Sequence, residues 1–151
     1  MSDAQARLSA MALTSFALNG QFLKIAEQLA APAGLTATRW QVLGAVLHEP
    51  LTQAEIARRM GITRQSVRRT ANQLMDDGLL GVVENPSLRK AKLLQPTEAG
   101  FAAIGKIGPQ HACFARSLEG RLGHEKMAQI ADTLTVLHAA LEALVEPQSA
   151  E

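Results

Sequence analysis

The chain has 151 residues, of which 47% are hydrophobic, with a net charge of +1 and a mean hydropathy of +0.03. These values exclude a membrane protein and a disordered chain, because the apolar runs are too short to cross a bilayer and no polar low-complexity segment occurs. The single cysteine, Cys113, excludes an intrachain disulfide. Because the N-terminus also lacks a signal-peptide pattern, we expect a cytoplasmic protein with one domain over residues 1–151.

The first part of the chain is predicted to be helical. Apolar residues recur at spacings of three and four from about residue 4 to residue 30, which is the period of one face of a helix. Pro32 and Gly34 interrupt this pattern, and a second helix is predicted to begin near Thr36 and to end at Glu49-Pro50.

Two short helices are predicted next, separated by a glycine turn. The sequence Thr52-Gln-Ala-Glu55 is a capping box, in which the hydroxyl and the carboxylate satisfy free N–H groups of the first turn. Gly61 can close this helix in the left-handed conformation, and Thr63 can cap the next helix, which ends at Asp77-Gly78. The predicted inward face of that second helix consists of Val67, Ala71, Leu74 and Met75.

A small hairpin follows these helices. Residues 79–84 and 91–94 have strand-like composition around the turn sequence Asn85-Pro86-Ser87. Three basic residues are predicted at or near its tip: Arg89, Lys90 and Lys92. A hairpin of this kind can lay a cation across a minor groove of DNA, although basic hairpin tips also occur simply because they are exposed to solvent.

The remainder of the chain is predicted to form two long helices. The first opens at residues 96–98 and extends to about Leu122 with a kink near Pro109, and the second covers residues 125–145. The predicted fold is therefore mostly α: a winged helix-turn-helix lobe over about residues 36–95 with a small β-hairpin wing, flanked by N- and C-terminal helices over about residues 4–30 and 98–146 that form a dimerisation region.

The positive charge is concentrated in the predicted winged segment. Residues 51–92 carry eight basic and four acidic side chains, whereas residues 1–50 are balanced and residues 93–151 have an excess of three acidic side chains. On the second helix of this segment, the outward polar positions are Arg64, Gln65, Arg68, Arg69 and Asn72, and no carboxylate occurs before Asp76. Arginine pairs bidentately with guanine or phosphate, and glutamine and asparagine pair with adenine. This surface favours DNA binding over a merely solvated helix face.

These features together resemble the MarR (multiple antibiotic resistance regulator) family. The resemblance rests on a capped helix over residues 36–48, then TQAEIARRMGITRQSVRRTANQLMDDGLL, then ENPSLRKAKLLQPTEAG, and then a long helix. It covers nearly the whole chain and is strongest from Thr52 to Gly100. It implies a ligand-responsive transcriptional regulator, a repressor, whose terminal helices intertwine in a homodimer and whose two recognition helices enter successive major grooves of a pseudo-palindrome.

The residues and the resemblance lead to three predicted sets of site residues. The predicted DNA contacts are Thr52, Thr63, Arg64, Gln65, Ser66, Arg68, Arg69, Asn72, Arg89, Lys90 and Lys92. The resemblance implies dimer contacts by Leu8, Phe16, Leu134, Leu137, Leu141 and Leu144. It also implies a cavity for a small aromatic or phenolic effector, with the candidate lining Met11, Phe16, Arg39, Trp40, His48 and His111. For Phe16 and Trp40, burial in the core is the alternative.

Other classes of function have little support in the sequence. The four histidines lack ligand spacing, so no metal is predicted, and we expect no cofactor. No catalytic triad, phosphate loop or paired carboxylates point to an enzyme. Cys113 is interpreted as a small hydrophobe within a helix, with a reactive thiol as the alternative. The rival function is a winged-helix module that docks a protein partner and does not bind DNA.

Overall fold

The computed structural model describes residues 1–87 and 91–145, and the elements below are those of the described residues. In the described part of the chain, one long helix precedes three short helices and one hairpin in sequence, and two long helices follow them. In chain order the elements are α1 (Asp3–Ala30), a short 3-10 turn (Ala31–Ala33), α2 (Ala37–Ala45), α3 (Gln53–Met60), α4 (Arg64–Asp76), β1 (Leu80–Val83), β2 (Leu93–Pro96), α5 (Glu98–Leu122) and α6 (His124–Leu144). The predicted mostly α, winged helix-turn-helix architecture is confirmed. Within the described part of the chain, no helix combines the length and apolarity that crossing a membrane requires.

The chain divides into two compact units, Met1–Pro109 and a second that begins at Gln110. The first unit contains α1 to α4, the hairpin and the first half of α5, and the second contains the rest of α5 together with α6. The division falls within α5, directly after Pro109, where the sequence predicts a kink, and the single domain stays a prediction. Pro109 lies inside α5, which is assigned as one helix across it.

The core of the first unit is built from one face of each short helix. The largest fully buried side chains belong to Val42, Leu43, Val46, Ile56, Val67, Leu74 and Ile107. Ala71 is also buried, and Met75 packs against this cluster from its edge, so the predicted inward face of α4 is confirmed. Because α4 buries this apolar face, its opposite side is directed to solvent.

Local capping fixes the turn between α3 and α4. The Thr52 hydroxyl accepts the N–H of Glu55, and the Glu55 carboxylate accepts the N–H of Thr52, both at 3.2 Å, which confirms the capping box. Gly61 has a φ of 64°, a conformation that side chains with a Cβ disfavour, and it ends α3. The Thr63 hydroxyl then accepts the N–H of Ser66 at 3.0 Å and starts α4. The helix-turn-helix is thus determined by residues that the sequence identifies.

The hairpin differs from the prediction in its second strand. Strands β1 and β2 pair antiparallel with Leu80 opposite Pro96 and Val83 opposite Leu93, so β2 begins two residues later than predicted and includes Pro96. This difference is explained by Leu51, which lies outside both strands and pairs with Leu94. The two residues exchange backbone hydrogen bonds of 3.2 and 2.8 Å. Leu94 is buried there, and this contact fixes the register of the strand.

The same bridge explains why α2 ends earlier than predicted. The helix stops at Ala45 rather than near Pro50, and the N–H of Leu47 bonds to the carbonyl of Gly44 at 3.3 Å. The residues between α2 and α3 form a turn that brings Leu51 beside β2. The apolar pattern continues past Ala45 because Val46 is buried and Leu47 is half-buried, and burial alone does not define a helix.

Candidate nucleic-acid interface

The exposed side of α4 carries the predicted recognition residues. Arg64, Gln65, Arg68, Arg69 and Asn72 are all exposed. The intervening positions Val67, Thr70, Ala71 and Leu74 are buried. The structure therefore brings the five polar residues together on one face, as their helical spacing predicts.

The arginines of this face have no ion-pair partner among the residues that the structure describes. Among the described residues the ion pairs are Arg39–Asp77 and Arg59–Glu49, each at 2.9 Å, and His124–Glu119 at 3.5 Å. None involves an arginine of α4. Three guanidinium groups within six positions of one helix repel each other, and an external anion would relieve this repulsion. A phosphate backbone provides such anions at regular spacing.

The two threonines predicted to contact DNA occupy different environments. Thr63 is exposed at the start of α4, and its hydroxyl retains a proton that it can donate while it accepts the N–H of Ser66. Thr52 is only 6% exposed, and both its hydroxyl and its N–H belong to the capping box of α3. Thr52 therefore holds α3, and its small exposed surface makes it less suited than Thr63 to the predicted contact with DNA.

The wing is described only in part. Lys92 is exposed directly before β2, as expected for a wing cation. Arg89 and Lys90, the other two predicted wing contacts, lie outside the described residues. Glu84 is exposed just after β1, so the wing also carries an acidic group near its base.

Two arginines outside the predicted DNA contacts are also notable in the structure. Arg58 is exposed in the last turn of α3, and it has no ion-pair partner among the described residues, whereas the adjacent Arg59 is paired with Glu49. Arg39, predicted to line an effector cavity, instead directs its guanidinium to Asp77 at the end of α4. Arg58 is one of the eight basic residues counted in the winged segment of the sequence. The pairing of Arg39 with Asp77 spans 38 residues, so no local sequence pattern indicates it.

The other predicted cavity residues lie in varied positions. Trp40 packs against the core cluster, in agreement with its alternative interpretation. Phe16 is 73% exposed and is not part of the core of this chain. Met11 and His48 are exposed as well. His111 belongs to the second unit, so the effector cavity stays a prediction.

The long helices expose apolar side chains. Leu8 and Phe16 on α1, and Leu134, Leu141 and Leu144 on α6, are exposed, and Leu137 is half-buried. Helix α6 has no buried residue at all over its 21 residues, and α1 has only Ala30 over its 28. Cys113 is exposed on α5 rather than enclosed. Within the described ranges, no group of histidine, cysteine, aspartate and glutamate side chains is arranged to hold a metal ion.

Comparisons with known proteins give the family. A sequence model described as MarR family matches residues 33–91, the segment that contains the helix-turn-helix. An uncharacterized protein of Mycobacterium tuberculosis is 36% identical over 143 residues, which cover 95% of this chain and 98% of the relative. The chain therefore belongs to the MarR family, and it is a winged-helix transcription regulator.

Solved structures share the fold. The M. tuberculosis transcriptional regulator MosR in complex with DNA is similar with a TM-score of 0.71 and 23% identity, covering 88% of this chain and 96% of that one. NadR in complex with 4-hydroxyphenylacetate is similar with a TM-score of 0.75 and 20% identity, covering 83% of this chain and 90% of that one. At these identities the likeness concerns the fold.

Proposed function

We propose that the protein is a homodimer that binds a pseudo-palindromic operator in duplex DNA and represses transcription in the cytoplasm. The observation that carries this proposal is the exposed, acid-free face of α4, on which Arg64, Arg68 and Arg69 have no ion-pair partner among the described residues. A helix with this surface fits the major groove, where arginine reads guanine and contacts phosphate.

Each predicted recognition residue of α4 has a role in this proposal. Arg64, Gln65, Arg68, Arg69 and Asn72 contact base edges and phosphates in the major groove. Thr63 directly precedes α4, and Ser66 lies in its first turn. The free N–H groups at this end of a helix favour a phosphate. Lys92 contacts the backbone from the wing, and Arg89 and Lys90 share that role by the resemblance of the sequence to the family.

The exposed apolar faces of the long helices support the homodimer. None of the 21 residues of α6 is buried, so the rest of the described chain covers its apolar side chains only in part. Burial of apolar surface contributes about 25 cal/mol per Å², so a second copy offers the missing stabilisation. Two copies also present two recognition helices, which one copy cannot, and a single helix reads too few base pairs to be selective.

The response to a ligand is the third part of the proposal. The similar structure of NadR holds 4-hydroxyphenylacetate, and the sequence resembles a family in which small aromatic or phenolic compounds act as effectors. Within the first unit, the candidate residues for the effector are Met11, Phe16, Trp40 and His48. Arg39 is less suited than predicted, because its guanidinium is already paired with Asp77.

Selection of bound sequences from a random duplex pool tests the proposal most directly. We expect the pool to converge on an inverted repeat whose half-sites are separated by about one helical turn, 10–10.5 base pairs. Sedimentation of the free protein should show a dimer. A pool that does not converge, combined with a protein that is retained by no duplex column, would favour the rival function as a protein-docking module.

A further inference from the structure

The C-terminal end of α4 is held by a set of polar contacts that includes none of the proposed DNA-binding residues. Asp77 is the C-cap of α4, and its carboxylate accepts a hydrogen bond from the Arg39 guanidinium of α2 at 2.9 Å. Gly78 follows with a φ of 74°, and its carbonyl accepts a bond from the Thr97 hydroxyl at 2.6 Å. The end of α4 is therefore bound from two sides, by α2 and by the residue that precedes α5.

The charges of the Arg39–Asp77 pair do not stabilise their own helices. Arg39 is in the first turn of α2 and Asp77 is at the C-terminal end of α4, so each charge lies at the helix end with the same sign of partial charge. Local electrostatics therefore disfavours both residues where they occur. Their placement is explained by the contact that they make with each other, which joins the N-terminal end of α2 to the C-terminal end of α4.

Further hydrogen bonds connect this contact between α2 and α4 to helices α1 and α5. On one side, the Glu27 carboxylate of α1 accepts the N–H of Ala37 at 2.8 Å, which attaches α1 to the first turn of α2. On the other side, the Thr97 hydroxyl that binds Gly78 also accepts the N–H of Gly100 in the first turn of α5. Helix α1 is thus joined to α2, which contacts the end of α4 through Arg39, and the residue before α5 contacts that end directly.

We propose that Arg39, Asp77 and Thr97 are positioning residues that fix the angle of α4, and with it the fit of its arginine face into the major groove. This inference rests on the proposed function, because its main readout is DNA affinity. An arginine reads a guanine only when its fork meets the base edge in a narrow range of positions, so a loose α4 loses selectivity while it keeps its phosphate attraction.

The neighbouring residues Asp76 and Asp77 provide a matched pair of variants. Both are exposed carboxylates at the end of α4, and Asp76 has no ion-pair partner among the described residues. Asp76→Asn and Asp77→Asn change the net charge equally, so each changes the general attraction to DNA by a similar amount. Any difference between the two variants reports the contact with Arg39.

The experiment measures binding of each variant to the duplex recovered by selection and to a copy with one half-site scrambled. We expect Asp77→Asn to bind the selected duplex about fivefold less tightly than Asp76→Asn, within the range known for residues that act without touching the ligand. Its discrimination against the scrambled copy should fall. The dependence of affinity on salt should stay the same for both variants, because no phosphate contact is removed.

A double-mutant cycle and a second contact complete the test. Arg39→Gln combined with Asp77→Asn should cost little more than Asp77→Asn alone, since both remove one interaction. Thr97→Val should resemble Asp77→Asn, whereas Thr97→Ser, which keeps the hydroxyl, should resemble the unaltered protein. Because Arg39–Asp77 is a partly exposed pair, Asp77→Asn is expected to fold with little change in stability.

Amide hydrogen exchange separates this inference from the proposed function. The N–H groups of Gly78 and Leu79 bond to Met75 and Leu74 at 3.0 and 2.8 Å. They should exchange faster in Asp77→Asn than in Asp76→Asn, whether or not DNA is present. Equal exchange and equal affinity in the two variants would overturn the positioning role, while failure of the unaltered protein to bind any duplex would overturn the proposed function instead.

Discussion

Gly100 in the first turn of α5 lies directly against the backbone carbonyl of Leu79. A Cβ atom on Gly100 would overlap that carbonyl oxygen, and it would also come within 3.2 Å of the Pro96 side chain. The absence of a side chain lets α5 approach the segment that follows the recognition helix. The N–H of Thr97 bonds to the same Leu79 carbonyl at 3.1 Å, so both residues fasten α5 to this point.

Gly100→Ala is therefore expected to lower the free energy of unfolding by about 1–3 kcal/mol, because backbone must move to admit the methyl group. Gly105→Ala on the same helix is the control. Nothing among the described residues lies within 4 Å of a Cβ at that position, so this variant should stabilise the helix by about 0.5–1 kcal/mol. Urea unfolding at a single protein concentration measures both. Equal effects of the two changes would contradict the close approach.

The recognition face of α4 leads to a prediction about salt. Arg68→Ala or Arg69→Ala should cost about 1–3 kcal/mol of binding to the selected duplex where the residue reads a base. Where the residue instead contacts a phosphate, the slope of log affinity against log salt should fall by about 0.9. Each titration over a range of salt concentrations therefore distinguishes base reading from backbone contact.

The control for these variants is Lys126→Ala, which removes an exposed positive charge from α6. It should leave both affinity and slope nearly unchanged. If removing either arginine changed binding no more than removing Lys126 does, this face of α4 would not be the one that meets DNA.

Most of the winged lobe was predictable from the sequence, because its signals are local. The capping box at Thr52, the left-handed Gly61 and the cap at Thr63 each act within a few residues, and the structure confirms them. The bounds of β2 were predicted wrongly, because the strand is fixed by the bridge between Leu51 and Leu94, which are distant in sequence.

The features of the site that were not predicted also depend on contacts between residues that are distant in sequence. The pairing of Arg39 with Asp77 depends on how α2 crosses the end of α4, and no local pattern specifies that crossing. Burial of Thr52 follows likewise from packing of α3 within the core. The outward face of α4 was predictable because helical periodicity alone separates its arginines from the buried positions.

The two threonine caps provide a test of their different roles. Thr52→Ala and Thr63→Ala should each cost about 0.5–2 kcal/mol of stability through loss of a capping bond. Only Thr63→Ala should also weaken binding to the selected duplex, since Thr63 is exposed at the start of α4 whereas Thr52 is buried. Thr63→Ser keeps the hydroxyl and should retain both properties. A loss of affinity for Thr52→Ala at a temperature where it is fully folded would restore Thr52 to the DNA contacts.

The apolar stripe of α6 yields a prediction about assembly. Leu134 is 40% exposed in the isolated chain, and in the proposed homodimer it is covered by the partner copy. Leu134→Asp would place a carboxylate in that interface, and burial of an unpaired charge is strongly unfavourable. We therefore expect sedimentation equilibrium to show a large increase in the monomer fraction, with a parallel loss of affinity for the inverted repeat.

Ala139→Asp is the matched control for this change. Ala139 is exposed on the same helix, and at 3.6 residues per turn it lies about 140° around the axis from Leu134. The two variants introduce the same side chain with the same low helix propensity, so a difference between them reports the face rather than the residue. Ala139→Asp should remain dimeric and bind DNA normally. Dissociation by both variants, or by neither, would show that the stripe containing Leu134 is not the surface that joins the two copies.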